Sequence, residues 1–333
     1  MAAEAAKRPT FAADGTVHVP AFDLPPSEYS SPEAVQMMKY RAVMPIPQTD
    51  LTMDAKAMRA GLDQMMAPMI EQSKSRYPVT ITTEKIAGVR TDIVVPKDGV
   101  ADDSRVLINL HGGAFMSCAV TCGLVESIPI AGVGKIKVVS VDYRQGPEHR
   151  FPAASEDVEK VYRALLKQYK PQNIGLYGCS AGGMLTAESM AWFQKKRLPA
   201  PAAIGIFGAA AGRVGHGDSA YVSAYIDGIF PPPPMAPLSY FEGASYDDPL
   251  VSPVLHPDVL AKFPPTLIIT GGRAMDFSGS IDTHAKLLKA GVDSNLLVGE
   301  GLSHCYIYNS NLPEARDAYD VIVKFFNKHL GKS

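Results

Sequence analysis

The sequence lacks several features that would point to whole classes of protein. Its 333 residues include 32 Lys and Arg against 34 Asp and Glu, a formal net charge of −2, with no block of basic residues. This balance gives no reason to expect a nucleic-acid partner or binding to an anionic membrane surface. No apolar run approaches the roughly 18 residues that a membrane-spanning helix needs, so we expect no membrane span.

The start of the chain, residues 1–8, lacks the apolar core of a signal peptide, and a cytoplasmic location is the default expectation. Cysteine is also scarce, with only Cys118, Cys122, Cys179 and Cys305. Cys118 and Cys122 are close in sequence, but no second pair with zinc-site spacing follows. We therefore expect buried thiols rather than disulfides or a metal site, and no metal is predicted.

What the chain does contain is an alternation of strand and helix patterns. Apolar runs typical of strands lie at residues 79–83, 90–96, 106–110, 137–141, 174–177, 203–207, 266–270 and 295–298. Helical patterns lie at residues 155–169, 184–196, 282–291 and 315–330. This alternation predicts an α/β fold with a mostly parallel central sheet flanked by helices, and with ligands at the carboxyl ends of the strands.

Two segments do not alternate in this way. Residues 1–75 hold helical stretches at about 31–44 and 54–73, both rich in methionine, and residues 211–249 are rich in glycine and proline. We expect 1–75 to form N-terminal cap helices and 76–333 the main domain, with 211–249 contributing to the cap. The methionines either pack the core or line an adaptable pocket. We take Met37, Met38 and Phe115 as candidates for the pocket.

A serine nucleophile is indicated by the segment Gly178-Cys179-Ser180-Ala181-Gly182. It follows an apolar strand and precedes a helical pattern, which is the setting of a nucleophile elbow. Glycines two residues either side of Ser180 permit a turn too tight for side chains. An ordinary glycine-rich turn can have the same sequence pattern. The assignment of a nucleophile therefore requires a base, an acid and an oxyanion hole elsewhere in the chain.

The oxyanion hole is predicted at the loop after the strand 106–110, which reads His111-Gly112-Gly113-Ala114-Phe115. Adjacent glycines let main-chain N–H groups approach a tetrahedral oxyanion closely. We assign the N–H groups of Gly112, Gly113 and Ala181 to this hole. We expect His111 to orient the loop, because the base of such a site should follow the serine in sequence.

The candidate base is His304, which follows the last predicted strand. A serine followed late in the chain by a histidine on a loop is the order typical of α/β-hydrolases. The acid should follow the strand 266–270, and Asp276 is the nearest carboxylate there. Its role would be to hold the imidazole in the correct tautomer. Asp282 is the second candidate, although it falls where the next helix should already have begun.

Together these motifs resemble the hormone-sensitive-lipase-like (bacterial family IV) esterases. The resemblance rests on His111-Gly-Gly-Ala-Phe115, on Asp142-Tyr-Arg-Gln-Gly-Pro-Glu148 with Phe151-Pro-Ala-Ala154, on Gly178-Cys-Ser-Ala-Gly-Gly183 and on Glu300-Gly-Leu-Ser-His304. It implies an α/β-hydrolase fold with a helical cap, a Ser-His-Asp carboxylic ester hydrolase acting on short- to medium-chain acyl esters, and no cofactor. Asp142, Tyr143, Arg144 and Glu148 would support the site structurally.

Three positions depart from the family pattern. Cys179 stands where the family usually has Asp, Gly146 where it has Ala, and Ala274 where it has the catalytic Asp. Either Asp276 serves from two residues further on, or the triad lacks its acid. We take Asp276 forward as the acid.

The sequence thus predicts a serine carboxylesterase that forms an acyl-enzyme on Ser180, with His304 as base and Asp276 as acid. A small-molecule ester is the expected partner, and a homodimer is possible. Two alternatives stay open on the same fold. One is an amidase or peptidase, and the other is a ligand-binding protein with little or no catalytic activity, which the displaced acid would allow.

Overall fold

A computed structural model describes residues 8–41, 55–212, 216–226 and 238–331. Its strands, in chain order, are β1 (Thr10–Phe11), β2 (Val17–His18), β3 (Val79–Ile86), β4 (Val89–Pro96), β5 (Val106–Leu110), β6 (Lys137–Val141), β7 (Ile174–Cys179), β8 (Ala203–Phe207), β9 (Thr266–Gly271) and β10 (Ser294–Gly299). Its helices are α1 (Pro32–Arg41), α2 (Ala55–Arg76), α3 (Ala119–Gly134), α4 (Ala153–Leu165), α5 (Ala181–Lys195), α6 (Asp218–Ile226), α7 (Pro257–Leu260), α8 (Phe277–Lys289) and α9 (Pro313–His329).

Eight strands form one sheet in the order β10-β9-β8-β7-β5-β6-β4-β3. Strands β5 to β10 pair in parallel, and β4 and β3 add an antiparallel edge. The central strands β5, β7 and β8 are buried along their whole length, because helices cover both faces of the sheet. Their continuous apolar runs follow from this burial, and the predicted mostly parallel α/β-hydrolase fold is confirmed.

Helix α3 has no counterpart in the sequence prediction. It is apolar on nearly every side, with most of its residues buried and Pro129 in its interior. A helix that is buried all round has no polar stripe, so it lacks the amphipathic period on which a sequence prediction depends. One charged residue, Glu126, lies within it and is buried.

The segments expected to form a cap contact the loops at the carboxyl ends of the strands. On α2, the Arg59 guanidinium donates to the carbonyl oxygens of Met116 (2.6 Å) and Gly146 (2.7 Å) and pairs with Glu148 at 2.7 Å. On α6, Ser219 Oγ donates to the carbonyl oxygen of Met275 at 3.0 Å. Residues 1–7, 42–54, 213–215 and 227–237 of these segments lie outside the described residues.

None of the helices in the described part of the chain is long and apolar enough to cross a membrane.

Candidate active site

The turn between β7 and α5 has the geometry of a nucleophile elbow. Ser180 sits at φ 57° and ψ −123°, a conformation that a residue with a side chain rarely adopts, and its N–H donates to the carbonyl oxygen of Phe207 at 2.8 Å. A Cβ on Gly182 would lie only 1.7 Å from the carbonyl oxygen of Leu110, and one on Gly178 would lie 2.2 Å from the same atom. Glycine is therefore required at both positions, and the turn presents Ser180 at the carboxyl end of β7.

His304 and Ser180 meet at the carboxyl ends of the strands. The loop after β10 brings His304 Nε2 to 3.0 Å from Ser180 Oγ, although the two residues are 124 positions apart. The other ring nitrogen, Nδ1, lies 2.6 Å from Asp276 Oδ1. The structure thus joins the three predicted catalytic side chains in one hydrogen-bonded series.

Asp276 is almost fully buried at the start of α8, with 1% of its surface exposed. Its Oδ2 accepts a hydrogen bond from the Thr270 hydroxyl at 2.6 Å. Burial alone would raise the pKa of Asp276, but the hydrogen bonds from His304 and Thr270 and the charge of His304 outweigh it and hold this pKa below its ordinary value. The carboxyl group is therefore ionised at neutral pH.

The other two positions weighed for the acid lie elsewhere. Ala274 is buried and carries no carboxylate. Asp282 is on the exposed side of α8, where it pairs with Lys286 at 2.7 Å. Of Asp276 and Asp282, only Asp276 contacts His304.

The glycine-rich loop after β5 departs from the prediction at Gly112. The N–H of Gly112 donates to Glu126 Oε1 at 2.9 Å, so this donor is occupied by the protein itself. By contrast, the N–H groups of Gly113, Ala114 and Ala181 donate to no acceptor within the described residues. The space around Gly112 is closed as well, because a Cβ there would lie 2.4 Å from Tyr308 Oη and 3.4 Å from Ser180 Cβ.

Glu126 is the residue of this site that the sequence analysis missed. Its Oε1 accepts from Gly112 N–H and, at 2.6 Å, from the Tyr308 hydroxyl. Its Oε2 accepts from Asn109 Nδ2 at 2.8 Å and from Cys179 N–H at 3.2 Å. Burial raises the pKa of Glu126 to about 7, although the four hydrogen bonds act in the opposite direction. The sequence signal that could have identified Glu126 is that it is the one charged residue in the stretch 119–134.

His111 is placed as the sequence analysis expected, behind the loop and away from Ser180. Its ring is fully buried, stacks on Tyr143 at 4.2 Å, and has Nδ1 at 2.6 Å from the carbonyl oxygen of Gly112. Burial lowers the pKa of His111 to about 4, so the ring is neutral at pH 7. A neutral ring with Nδ1–H can donate to that carbonyl and so fix the loop.

The prediction of buried free thiols is wrong. Cys118 is joined to Cys122, and Cys179 to Cys305, with Cα–Cα distances of 5.2 and 6.5 Å. Both distances fall within the range that disulfides span. Spacing along the chain could not reveal the second bridge, because its two cysteines are 126 positions apart and become neighbours only when Ser180 and His304 meet.

Two of the three predicted pocket residues lie on α1. Met37 and Met38 on α1 are half-buried, and the Met38 side chain lies beside Gly301 of the loop that carries His304. Phe115 does not line a pocket, and this prediction is corrected. It has no exposed surface and stacks on Tyr240, with ring centroids 4.8 Å apart, so it supports the glycine-rich loop from the core side.

Comparisons with known proteins identify the family of this chain. Residues 107–308 match a family model described as alpha/beta hydrolase fold. An esterase of Acinetobacter venetianus is 26% identical over 270 residues, covering 78% of this chain and 87% of the relative. The esterase LipU of Mycobacterium tuberculosis is 29% identical over 283 residues, covering 81% of this chain and 93% of LipU.

Solved structures give the same result. The crystal structure of esterase E25 is similar with a TM-score of 0.79 and 29% identity, over 94% of this chain and 98% of that one. An esterase from the bacterial hormone-sensitive lipase family is similar with a TM-score of 0.74 and 25% identity, over 90% of this chain and 97% of that one. This chain therefore belongs to the α/β-hydrolase family and is a hormone-sensitive-lipase-like serine carboxylesterase.

Proposed function

We propose that this carboxylesterase hydrolyses its substrates through an acyl-enzyme on Ser180, with His304 as the base and Asp276 as the acid. The observation that supports the proposal most strongly is the hydrogen-bonded series from Ser180 Oγ to His304 at 3.0 Å and from His304 to Asp276 at 2.6 Å. The three groups have the relative positions that a serine hydrolase triad requires.

In the first half of the reaction, Ser180 Oγ attacks the ester carbonyl carbon while His304 Nε2 takes the hydroxyl proton. The resulting imidazolium then gives this proton to the departing alkoxide, and the acyl group stays on Ser180. In the second half, His304 takes a proton from the water that attacks the acyl-enzyme. The imidazolium then returns this proton to Ser180 Oγ as the C–O bond to the acyl group breaks and the carboxylic acid leaves. Asp276 accepts from Nδ1–H throughout, which keeps Nε2 free to receive the proton.

The negative charge that develops on the carbonyl oxygen needs main-chain donors. We assign this role to the N–H groups of Gly113 and Ala181, as the sequence predicts, and to Ala114 in place of Gly112. The reason is that Gly112 N–H already donates to Glu126, whereas the other three N–H groups have no protein acceptor among the residues described. Ala181 also opens α5, where the positive end of the helix dipole favours the oxyanion.

Glu126 is proposed to hold the three loops of the site in their relative positions. It accepts hydrogen bonds from Gly112 of the glycine-rich loop, from Cys179 before the nucleophile and from Tyr308 after the base. Both oxygens then have two donors each, which an ionised carboxylate can accommodate fully.

The proposed substrates are short- to medium-chain acyl esters. The support is the family resemblance together with Met38, whose flexible apolar side chain lies beside Gly301 of the base loop, and with its half-buried neighbour Met37. We propose that α1, α2 and the segment 211–249 form a cap over the site, as the Arg59 and Ser219 contacts favour. A homodimer and a cytoplasmic location stay predictions.

The test is hydrolysis of p-nitrophenyl acetate, butyrate, octanoate and palmitate by the wild type and by Ser180→Ala. We expect turnover to be fastest on the shorter esters and to fall by about 10⁴-fold or more in Ser180→Ala, because no other group in the triad can carry the acyl chain. Circular dichroism checks that the variant is folded. A folded Ser180→Ala protein with wild-type turnover would overturn the assignment of the nucleophile.

A further inference from the structure

The disulfide Cys179–Cys305 joins the two halves of the proposed catalytic pair. Cys179 directly precedes Ser180, and Cys305 directly follows His304. One covalent bridge therefore connects the nucleophile elbow to the base loop across 126 positions of sequence. The other bridge, Cys118–Cys122, only connects the start of α3 to the residue before it.

The surroundings of the bridge leave little room for it to move. A Cβ placed on Gly208 would lie 2.8 Å from Cys305 Sγ, 3.2 Å from Cys179 Sγ and 3.3 Å from His304 Cε1. The bridge and the imidazole thus pack together against the same glycine, which has φ +54°.

One sulfur also lies next to the working nitrogen of the base. Cys305 Sγ is 3.6 Å from His304 Nε2, the same atom that faces Ser180 Oγ at 3.0 Å. A disulfide sulfur carries no hydrogen and cannot donate to this nitrogen. A free thiol at the same place has an S–H group that can donate to Nε2, in competition with the Ser180 hydroxyl.

We propose that the Cys179–Cys305 disulfide positions His304 on Ser180, so that esterase turnover depends on the oxidation state of this pair. Cys179 and Cys305 are positioning residues, which act through His304 and Ser180. The inference rests on the proposed triad, and it adds a dependence on thiol redox state that the triad alone does not have.

The switching reaction is a two-electron thiol–disulfide exchange. A dithiol reductant attacks one sulfur of the bridge through its thiolate, the Cys179–Cys305 bond breaks, and a mixed disulfide forms. This first step releases one protein thiol. The second thiol of the reductant then attacks the mixed disulfide, which releases the other protein thiol and leaves the reductant oxidised as a cyclic disulfide. Cys305 is partly exposed, which gives the reductant access, whereas Cys179 is fully buried.

Two consequences of reduction act in the same direction. Without the covalent link, the base loop and the elbow can separate slightly, and a misplacement of about 1 Å at a reacting pair can cost about 100-fold in rate. In addition, the freed Cys305 thiol competes for His304 Nε2. The bridge acts on the alignment of His304 with Ser180, which matters for the chemical step, so the effect should fall on kcat and leave KM nearly constant.

The experiment compares the oxidised wild type with the same protein after full reduction by dithiothreitol, counting thiols by alkylation and mass spectrometry. We expect kcat per active site, titrated by the p-nitrophenol burst, to fall about tenfold or more on reduction with KM within twofold. Reoxidation by oxidised glutathione should restore kcat. A fully reduced enzyme that keeps its kcat would overturn the proposal.

Variants separate the covalent link from the thiol. Cys179→Ala/Cys305→Ala removes both, so its kcat should be low and insensitive to dithiothreitol. Cys179→Ala alone leaves the Cys305 thiol, and its kcat should be lower still. The matched control Cys118→Ala/Cys122→Ala removes the other bridge and should keep the response to dithiothreitol; loss of the response there would instead assign the effect to Cys118–Cys122.

Failure of the proposed function has a different signature. If the triad assignment is wrong, neither the oxidised nor the reduced wild type reacts at Ser180 with a fluorophosphonate. If only the redox inference is wrong, both forms react at Ser180 and turn over esters at the same rate. A bridge that merely stabilises the fold would lower the melting temperature on reduction without changing kcat per titrated site.

Discussion

The two sides of the active site are built in different ways. On the nucleophile side, Ser180 is held by the backbone itself, in a turn so close to β5 that Gly178 and Gly182 cannot carry a Cβ. On the base side, His304 sits on a loop that side chains hold from a distance. His304 contacts Asp276, which is 28 positions away in sequence. On the same loop, Cys305 is bonded to Cys179, 126 positions away, and Tyr308 donates to Glu126, 182 positions away.

Because of this difference, the two sides should respond differently to substitutions. Backbone geometry is fixed by local sequence and changes only when the fold changes. Side-chain contacts can be removed one at a time while the fold survives, so the base side should be where single substitutions and solution conditions alter turnover. Three predictions test this contrast.

The largest expected effect is that of Asp276→Asn. The introduced amide can accept from Thr270 only by turning its NH₂ towards His304 Nδ1, which forces the proton onto Nε2 and leaves no acceptor for the Ser180 proton. We expect kcat for p-nitrophenyl butyrate to fall by about 10³-fold or more, with the melting temperature changed little.

Asp282→Asn is the matched control, because it makes the same chemical change on the exposed face of α8, where the carboxylate pairs only with Lys286. Its kcat should stay within twofold of wild type. Equal losses in the two variants would show that the base does not depend on Asp276 specifically.

The next largest effect is the contribution of Glu126 to the free energy of unfolding, which should change with pH. Burial raises the pKa of Glu126 from 4.5 to about 7 in the folded protein. Between these values the folded state binds one more proton than the unfolded chain, so the free energy of unfolding falls as pH rises through this window and is level above it. The full change is about 3 kcal/mol.

Glu126→Gln has no titrating group at position 126. Subtracting its free energy of unfolding from that of the wild type therefore isolates the contribution of Glu126. Urea denaturation at pH 5, 6, 7 and 8 supplies the difference. It should decrease from pH 5 to pH 7 and level off by pH 8. A difference that increases with pH would mean that the four donors outweigh burial and lower the pKa of Glu126.

The smallest effect is that of Glu126→Gln on turnover at pH 8, where the carboxyl group is ionised. The introduced NH₂ must face two of the four donors, so at least one of the three loops loses its hydrogen bond. We expect kcat to fall about tenfold with KM nearly unchanged, since about 1.4 kcal/mol of transition-state stabilisation corresponds to a factor of ten.

Glu188→Gln is its control, because Glu188 is a buried carboxyl on α5 that has no hydrogen-bond partner in the described structure. It should keep kcat within threefold. If both variants lose activity equally, the loss of a buried carboxyl group as such, rather than of the Glu126 contacts, is responsible.

The contrast between the two sides also explains how much of the site the sequence could predict. The strands 106–110, 137–141 and 203–207 were predicted with the bounds that the structure has, since continuous apolar runs with flanking turns are local signals. The elbow at Ser180 is local in the same way. Asp276 could be selected only because it was the nearest carboxylate after its strand.

The features that escaped prediction are the long-range ones. Glu126 lies on a helix without an amphipathic pattern, and the Cys179–Cys305 bridge exists only because two distant loops meet. Gly112 was assigned to the oxyanion hole from the adjacent glycines, and nothing in the sequence indicates that its N–H donates to the distant Glu126. Phe115 was wrongly assigned to the pocket, since its position after a glycine-rich loop does not reveal that it stacks on Tyr240 in the core.

The most direct test of the central claim is the site and rate of phosphonylation. We expect a fluorophosphonate to add one group per chain, located by peptide mass spectrometry on the segment that holds Ser180, and to react about 10³-fold more slowly with His304→Ala. An adduct on another residue, or equal rates in the wild type and His304→Ala, would contradict the proposed Ser180–His304 pair.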